Sequence, residues 1–90
     1  MEDDMTSTHS NFILELFSRE LRLKCKQKYG VILSAEQFAR NYNLRSHEMN
    51  SISRETARKW LRGVSFPEPK RLIVLIDWLD IDLNSVLNKR

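Results

Sequence analysis

The stretch Ile52-Ser53-Arg54-Glu55-Thr56-Ala57-Arg58-Lys59-Trp60-Leu61-Arg62-Gly63 decides the reading of this chain. Ser53 suits a helix start, because its hydroxyl can accept a hydrogen bond from one of the first unpaired helix amides. Gly63 suits a helix stop, since glycine enters the left-handed conformation without steric cost, and Arg62 falls in the last turn where the helix dipole favours a cation. Between these ends Ala57, Trp60 and Leu61 recur at the three-and-four spacing of one buried face. Arg54, Glu55, Arg58, Lys59 and Arg62 cover the rest. The spacing predicts a short helix from Ser53 to Arg62 with a thin apolar stripe and a cationic outer face.

Upstream, Ser34 opens another helix expected to run to about Asn43. Ser34 and Gln37 have the spacing of a capping box, and Leu33 and Phe38 stand at the hydrophobic-staple positions around it. Phe38, Ala39 and Tyr42 form its buried side. Residues 44–52 lack a convincing period and are rich in Ser, Asn and His, so they read as a loop with one short turn. A longer first helix is expected from Phe12 to Tyr29, with Ile13, Leu16, Phe17, Leu21 and Cys25 inward, most of its charged residues (Arg22 among them) outward, and Gly30 at its end. Downstream, Pro67 and Pro69 separate the third helix from a fourth over residues 68–79, since proline is tolerated in a first turn. Leu72, Ile73, Leu75, Ile76 and Leu79 are its expected inner side. Asp82 can cap a short fifth helix, with Ile81 and Val86 at staple positions and Leu83 and Leu87 inward. The fold class is therefore all-α: five short helices, no strand and no repeat, as a flexible acidic tail over residues 1–10 and one domain over residues 11–90.

Ninety residues suffice for one modest core, and 41% hydrophobic with 30% charged residues suits a globular chain. No apolar run approaches the roughly 20 residues of a membrane span. The N-terminus is acidic and polar, unlike a secretory signal, and the single cysteine, Cys25, is compatible with a reducing compartment; a cytoplasmic location is expected. The formal net charge is +3, but residues 1–10 carry three acids and no Lys or Arg, leaving 15 bases against 9 acids elsewhere. Residues 40–71 hold eight bases and three acids. Such a local excess points to a polyanion, whose released counterions drive binding, or to a plain solvated surface.

With the helices of residues 34–43 and 53–62 in place, the chain resembles a lambda-repressor-like helix-turn-helix DNA-binding domain, the family of small phage and bacterial regulators. The resemblance rests on residues 33–39 (Leu-Ser-Ala-Glu-Gln-Phe-Ala) and on residues 52–63, continued by Pro67, Leu72, Leu79 and Leu87; it covers residues 12–88. Family members join the two helices by a tight turn, and this chain has about eight residues more, placed here as an enlarged turn over residues 44–51. The resemblance implies a compact five-helix domain that sets helix 53–62 in the major groove of double-stranded DNA as a sequence-specific transcriptional regulator, a repressor by expectation. Arg54, Glu55, Arg58 and Lys59 then face bases. Arg54 is the first choice for the guanine fork, and Glu55 can accept from a cytosine amino group. Ser34, Gln37, Ser53, Thr56, Arg62 and Lys70 are the candidates for phosphate. The family's use of palindromic half-sites implies a homodimer, with helix five and Trp78 as its patch.

Blander readings stand beside these. The outer face of helix 53–62 could be a solvated surface with Glu55 and Lys59 paired one turn apart. Trp60 shares a stripe with Ala57 and Leu61 and reads as core, whereas Trp78 lies off the main stripe of helix four. Arg45 and His47 in the enlarged turn offer a phosphate or groove contact of their own. Cys25 lies far from His9 and His47, so no metal site is expected. Neither a glycine-rich phosphate loop nor a nucleophile–base pair is present, so no enzyme, cofactor or small-molecule substrate is expected. The competing function is a protein-binding helical module, antirepressor or antitoxin-like, that keeps the fold without reading DNA.

Overall fold

Five helices are present in a computed structural model that describes the backbone of residues 2–87 and the side chains of residues 12–87. They are α1 (Glu2–Tyr29), α2 (Ala35–Arg45), α3 (Arg54–Leu61), α4 (Pro69–Leu79) and α5 (Leu83–Leu87), with a single 3-10 turn at Glu48–Asn50 between α2 and α3. Among the described residues there is no strand. The helix bound at Glu2 lies N-terminal of the expected start at Phe12, and the side chains of the expected acidic tail, residues 1–10, lie outside the described residues.

The caps form as their chemistry requires. Ser34 Oγ accepts from the Gln37 amide at 3.1 Å while Gln37 Oε1 accepts from the Ser34 amide at 3.2 Å, a complete capping box. Leu33 and Phe38 are both buried around it, as a staple demands. Gly30 and Gly63 close α1 and α3 with φ of 80° and 73°. Asp82 Oδ1 accepts from the Asn84 amide at 3.0 Å, and the Ser85 hydroxyl bonded to its other oxygen leads the effects that hold its carboxyl below the ordinary value. The buried carboxylate of Glu20, on α1, accepts from the Asp82 amide at 2.8 Å and ties α5 to α1.

One core joins all five helices. Phe17, Leu21 and Cys25 from α1, Phe38 and Tyr42 from α2, Ala57 and Trp60 from α3, Leu75 from α4 and Val86 from α5 are almost wholly buried. Phe38 is its aromatic hub, with its ring centroid 5.0 Å from Trp78 and 6.5 Å from Trp60, while Tyr42 meets Trp60 edge-on at 5.7 Å. A fully buried Phe, Leu or Val among them contributes on the order of 1.5–3 kcal/mol by leaving water.

Several inward expectations change. Trp78 is 6% exposed, so it is core and not a contact surface; its indole donates to the Tyr29 hydroxyl at 2.8 Å. Ile73 is 65% exposed because the buried arc of α4 turns through Leu72, Leu75, Trp78 and Leu79, leaving Ile73 off the seam. Leu87 is 53% exposed whereas Val86 is 1% exposed, so Val86 is taken up by the core and only Leu87 of that pair faces outward.

Candidate nucleic-acid interface

The outer face of α3 is built by subtraction. Ala57, Trp60 and Leu61 turn inward, and Arg54, Glu55 and Lys59 are left exposed, with Arg58 half-exposed and Arg62 exposed at the C-cap. Ser53 starts the helix as expected, its Oγ accepting from the Thr56 amide at 3.1 Å. The same hydroxyl lies 3.2 Å from Thr56 Oγ1, within hydrogen-bond reach.

Between this face and the N-terminus of α2 lies an open cleft of about 450 Å³, lined by Ser34, Ala35, Glu36, Arg54, Arg58, Leu61 and Arg62. Four of the expected contact residues, Ser34, Arg54, Arg58 and Arg62, thus share one concave site. The α2 end supplies unpaired backbone amides and the positive end of the dipole, and the α3 side supplies three guanidinium groups. Glu36 is the acid on the rim, and Arg40 bonds it at 3.3 Å. Gln37 is exposed beside Ser34 with its carbonyl oxygen committed to the capping box. Glu55, Lys59, Ser53 and Thr56 stand on α3 outside the cleft lining, and Lys70 is exposed at the start of α4, also outside it.

Glu55 pairs with Arg58, not with Lys59 as its spacing had suggested. Arg58 Nε donates to Glu55 Oε1 at 2.9 Å and Nη2 donates to Oε2 at 2.5 Å. This hydrogen bonding is the chief reason the Glu55 carboxyl sits below its ordinary value, with the charges of Arg58, Lys59 and Arg54 adding to it. The carboxylate in turn raises Arg58.

Three contacts that hold this site carry no recognisable sequence signal. Arg22, half-buried and not outward, donates from Nη1 to the Leu61 carbonyl at 2.6 Å, placing a cation on the last carbonyls of α3. Asn43 clamps both backbone groups of Ile52: its side-chain amide donates to the Ile52 oxygen at 3.0 Å, and its carbonyl accepts from the Ile52 amide at 2.8 Å. Arg71 donates to the Ser51 carbonyl at 3.3 Å from α4. The enlarged turn is therefore pinned at its exit directly before α3. Arg45 completes the last turn of α2, donating to the Asn41 carbonyl at 2.8 Å with its guanidinium 5.1 Å from the Trp78 ring centroid. Its charge is drawn onto α4 and off the tip of the turn. His47 is exposed before the 3-10 turn.

Among the described residues no group of three or more His, Cys, Asp or Glu could hold a metal ion, and no helix is long and apolar enough to cross a membrane. Burial pushes the Cys25 thiol up to about 11. Set against known protein families, curated proteins and solved structures, the chain finds no match.

Proposed function

We propose that this chain is a sequence-specific regulator that binds double-stranded DNA, with α3 as the helix entering the major groove. The observation that carries the reading is the concave site that Arg54 and Arg58 of α3 and Arg62 at its C-cap share with the capped start of α2 at Ser34 and Ala35. A duplex presents base edges and a phosphate row side by side, and such a site offers cationic forks to the first and backbone amides to the second. Arg54, Glu55, Arg58 and Lys59 form the helix face assigned to the base edges. Ser34, Gln37, Ser53, Thr56, Arg62 and Lys70 are assigned to phosphate. A homodimer on a palindromic site, acting as a repressor, completes the reading by family resemblance.

A second reading, a module that binds another protein, draws on Leu44, 76% exposed in the last turn of α2, and Met49, 94% exposed on the enlarged turn. Selection from a pool of randomised duplexes, repeated at two salt concentrations, separates them. A regulator enriches a defined consensus, and its affinity falls steeply with salt as counterions are released. Failure to bind any duplex at low salt refutes the DNA reading.

A further inference from the structure

The side-on pairing of Glu55 with Arg58 goes further than a surface ion pair. A guanidinium carries two parallel donor edges: Nε with one Nη, and the two Nη groups end-on. Glu55 occupies the first edge with both carboxylate oxygens, at 2.9 and 2.5 Å. Among the described residues nothing engages Arg58 Nη1, so the end-on edge, Nη1 with the second hydrogen of Nη2, stays open. Arg58 also lines the cleft between α3 and the start of α2.

Guanine presents O6 and N7 as two adjacent acceptors in the major groove, matching a parallel pair of donors. An arginine free to rotate must surrender much of its rotamer freedom to make that contact, whereas a guanidinium held by a carboxylate has already surrendered it. Arg54 and Lys59 reach Glu55 only through their charge and gain no such restraint. Glu55 has both oxygens on Arg58, which leaves it poorly placed to read a cytosine amino group for itself.

Resting on the DNA-binding reading above, we propose that Arg58, through its end-on edge, is the guanine-reading residue of α3, and that Glu55 is the positioning residue that presents it. Arg54, the first-choice guanine reader expected from sequence, then lines the same cleft without that role.

The test compares the full-length wild type with Arg58→Ala, Glu55→Gln and the double variant, reading the preference at every operator position by selection from randomised duplexes. Arg58→Ala is expected to abolish a guanine preference of about tenfold or more at one position. Glu55→Gln should weaken the preference at that same position by about tenfold, while binding to random duplex rises because a carboxylate near phosphate is gone. In the Arg58→Ala background, Glu55→Gln should leave the position unchanged, as expected if Glu55 acts only through Arg58. Thermal melts of all four proteins should nearly coincide, because both side chains are on the surface. The proposal is overturned if Arg58→Ala leaves the guanine preference intact, if Glu55→Gln changes a different position, or if it acts equally with and without Arg58. A wild type that enriches a consensus but shows one of these patterns refutes this assignment alone; a wild type that enriches nothing removes the DNA reading, and this assignment with it.

Discussion

Replacing Gly63 with alanine tests how α3 is closed against α1. Gly63 has φ of 73°, and a Cβ built there would lie 3.1 Å from Ser18 Oγ, 3.2 Å from the Leu14 carbonyl oxygen and 3.4 Å from Ser18 Cβ. The left-handed conformation costs an alanine roughly 1–2 kcal/mol, of which about 0.4–1 kcal/mol is returned by the stiffer unfolded chain. The contacts add to this, because neither neighbour yields easily. Ser18 is 2% exposed with its hydroxyl bonded to the Glu15 carbonyl at 3.0 Å, and the Leu14 oxygen belongs to the backbone of α1. Overpacking of this kind costs about 1–3 kcal/mol. These terms put the loss for Gly63→Ala at about 1–4.6 kcal/mol, centred on about 3 kcal/mol, and a domain of this size loses roughly 4–8 °C of Tm per kcal/mol. Gly30 supplies the control: its φ is 80°, and a Cβ there meets nothing within 4 Å. Gly30→Ala should lose only about 0.5–1 kcal/mol. Thermal and urea melts of the two variants measure the difference, which isolates the crowding against α1. Equal losses, or a larger loss at Gly30, would falsify the account of Gly63 as a close-approach residue.

Two further outcomes follow from the packing. Asn43→Ala leaves the amide and carbonyl of Ile52 without their partners in a half-buried place, which costs about 1–3 kcal/mol; amide exchange at Ile52 should accelerate more than exchange in the middle of α1. The Cys25 thiol has an ordinary value of 9.0 and is pushed up to about 11 by burial, so its neutral form is favoured in the fold. The sign follows: its contribution to stability is complete below pH 9 and declines as pH rises from there towards 11. Alkylation by iodoacetamide at pH 8 should therefore track global unfolding, and rapid labelling of the native protein would contradict the burial.

The elements with strong local chemistry are the ones legible in the sequence. The Ser34–Gln37 box, the Leu33–Phe38 staple, the Ser53 start and both glycine closures depend on residues within a few positions of one another, and all form. The inner stripes of α2 and α3 were equally readable from period alone. Trp78 and Ile73 escape the sequence pattern because a helix with apolar residues nearly all round does not declare its own seam; Phe38 and Tyr29, distant in sequence, decide which side is covered. The candidate site divides in the same way. Its residue types and the outward face of α3 were visible, but the partner of Glu55 was not, because Arg58 and Lys59 stand at competing spacings of three and four. Arg22, Asn43 and Arg71 each act across a chain separation that no local pattern encodes.

The Asn43 clamp has a consequence for how this chain can vary. Because Asn43 holds Ile52 directly, the residues between them form a closed loop whose neck is tied by two hydrogen bonds. Its tip, around Glu48 and Met49, is exposed. Lengthening, shortening or decorating that tip changes a loop-closure entropy that grows only slowly with length, without transmitting a displacement to α3. The turn is in effect an attachment port: a reporter peptide or an additional recognition element could be inserted at residues 48–49 while the adjoining helix keeps its orientation.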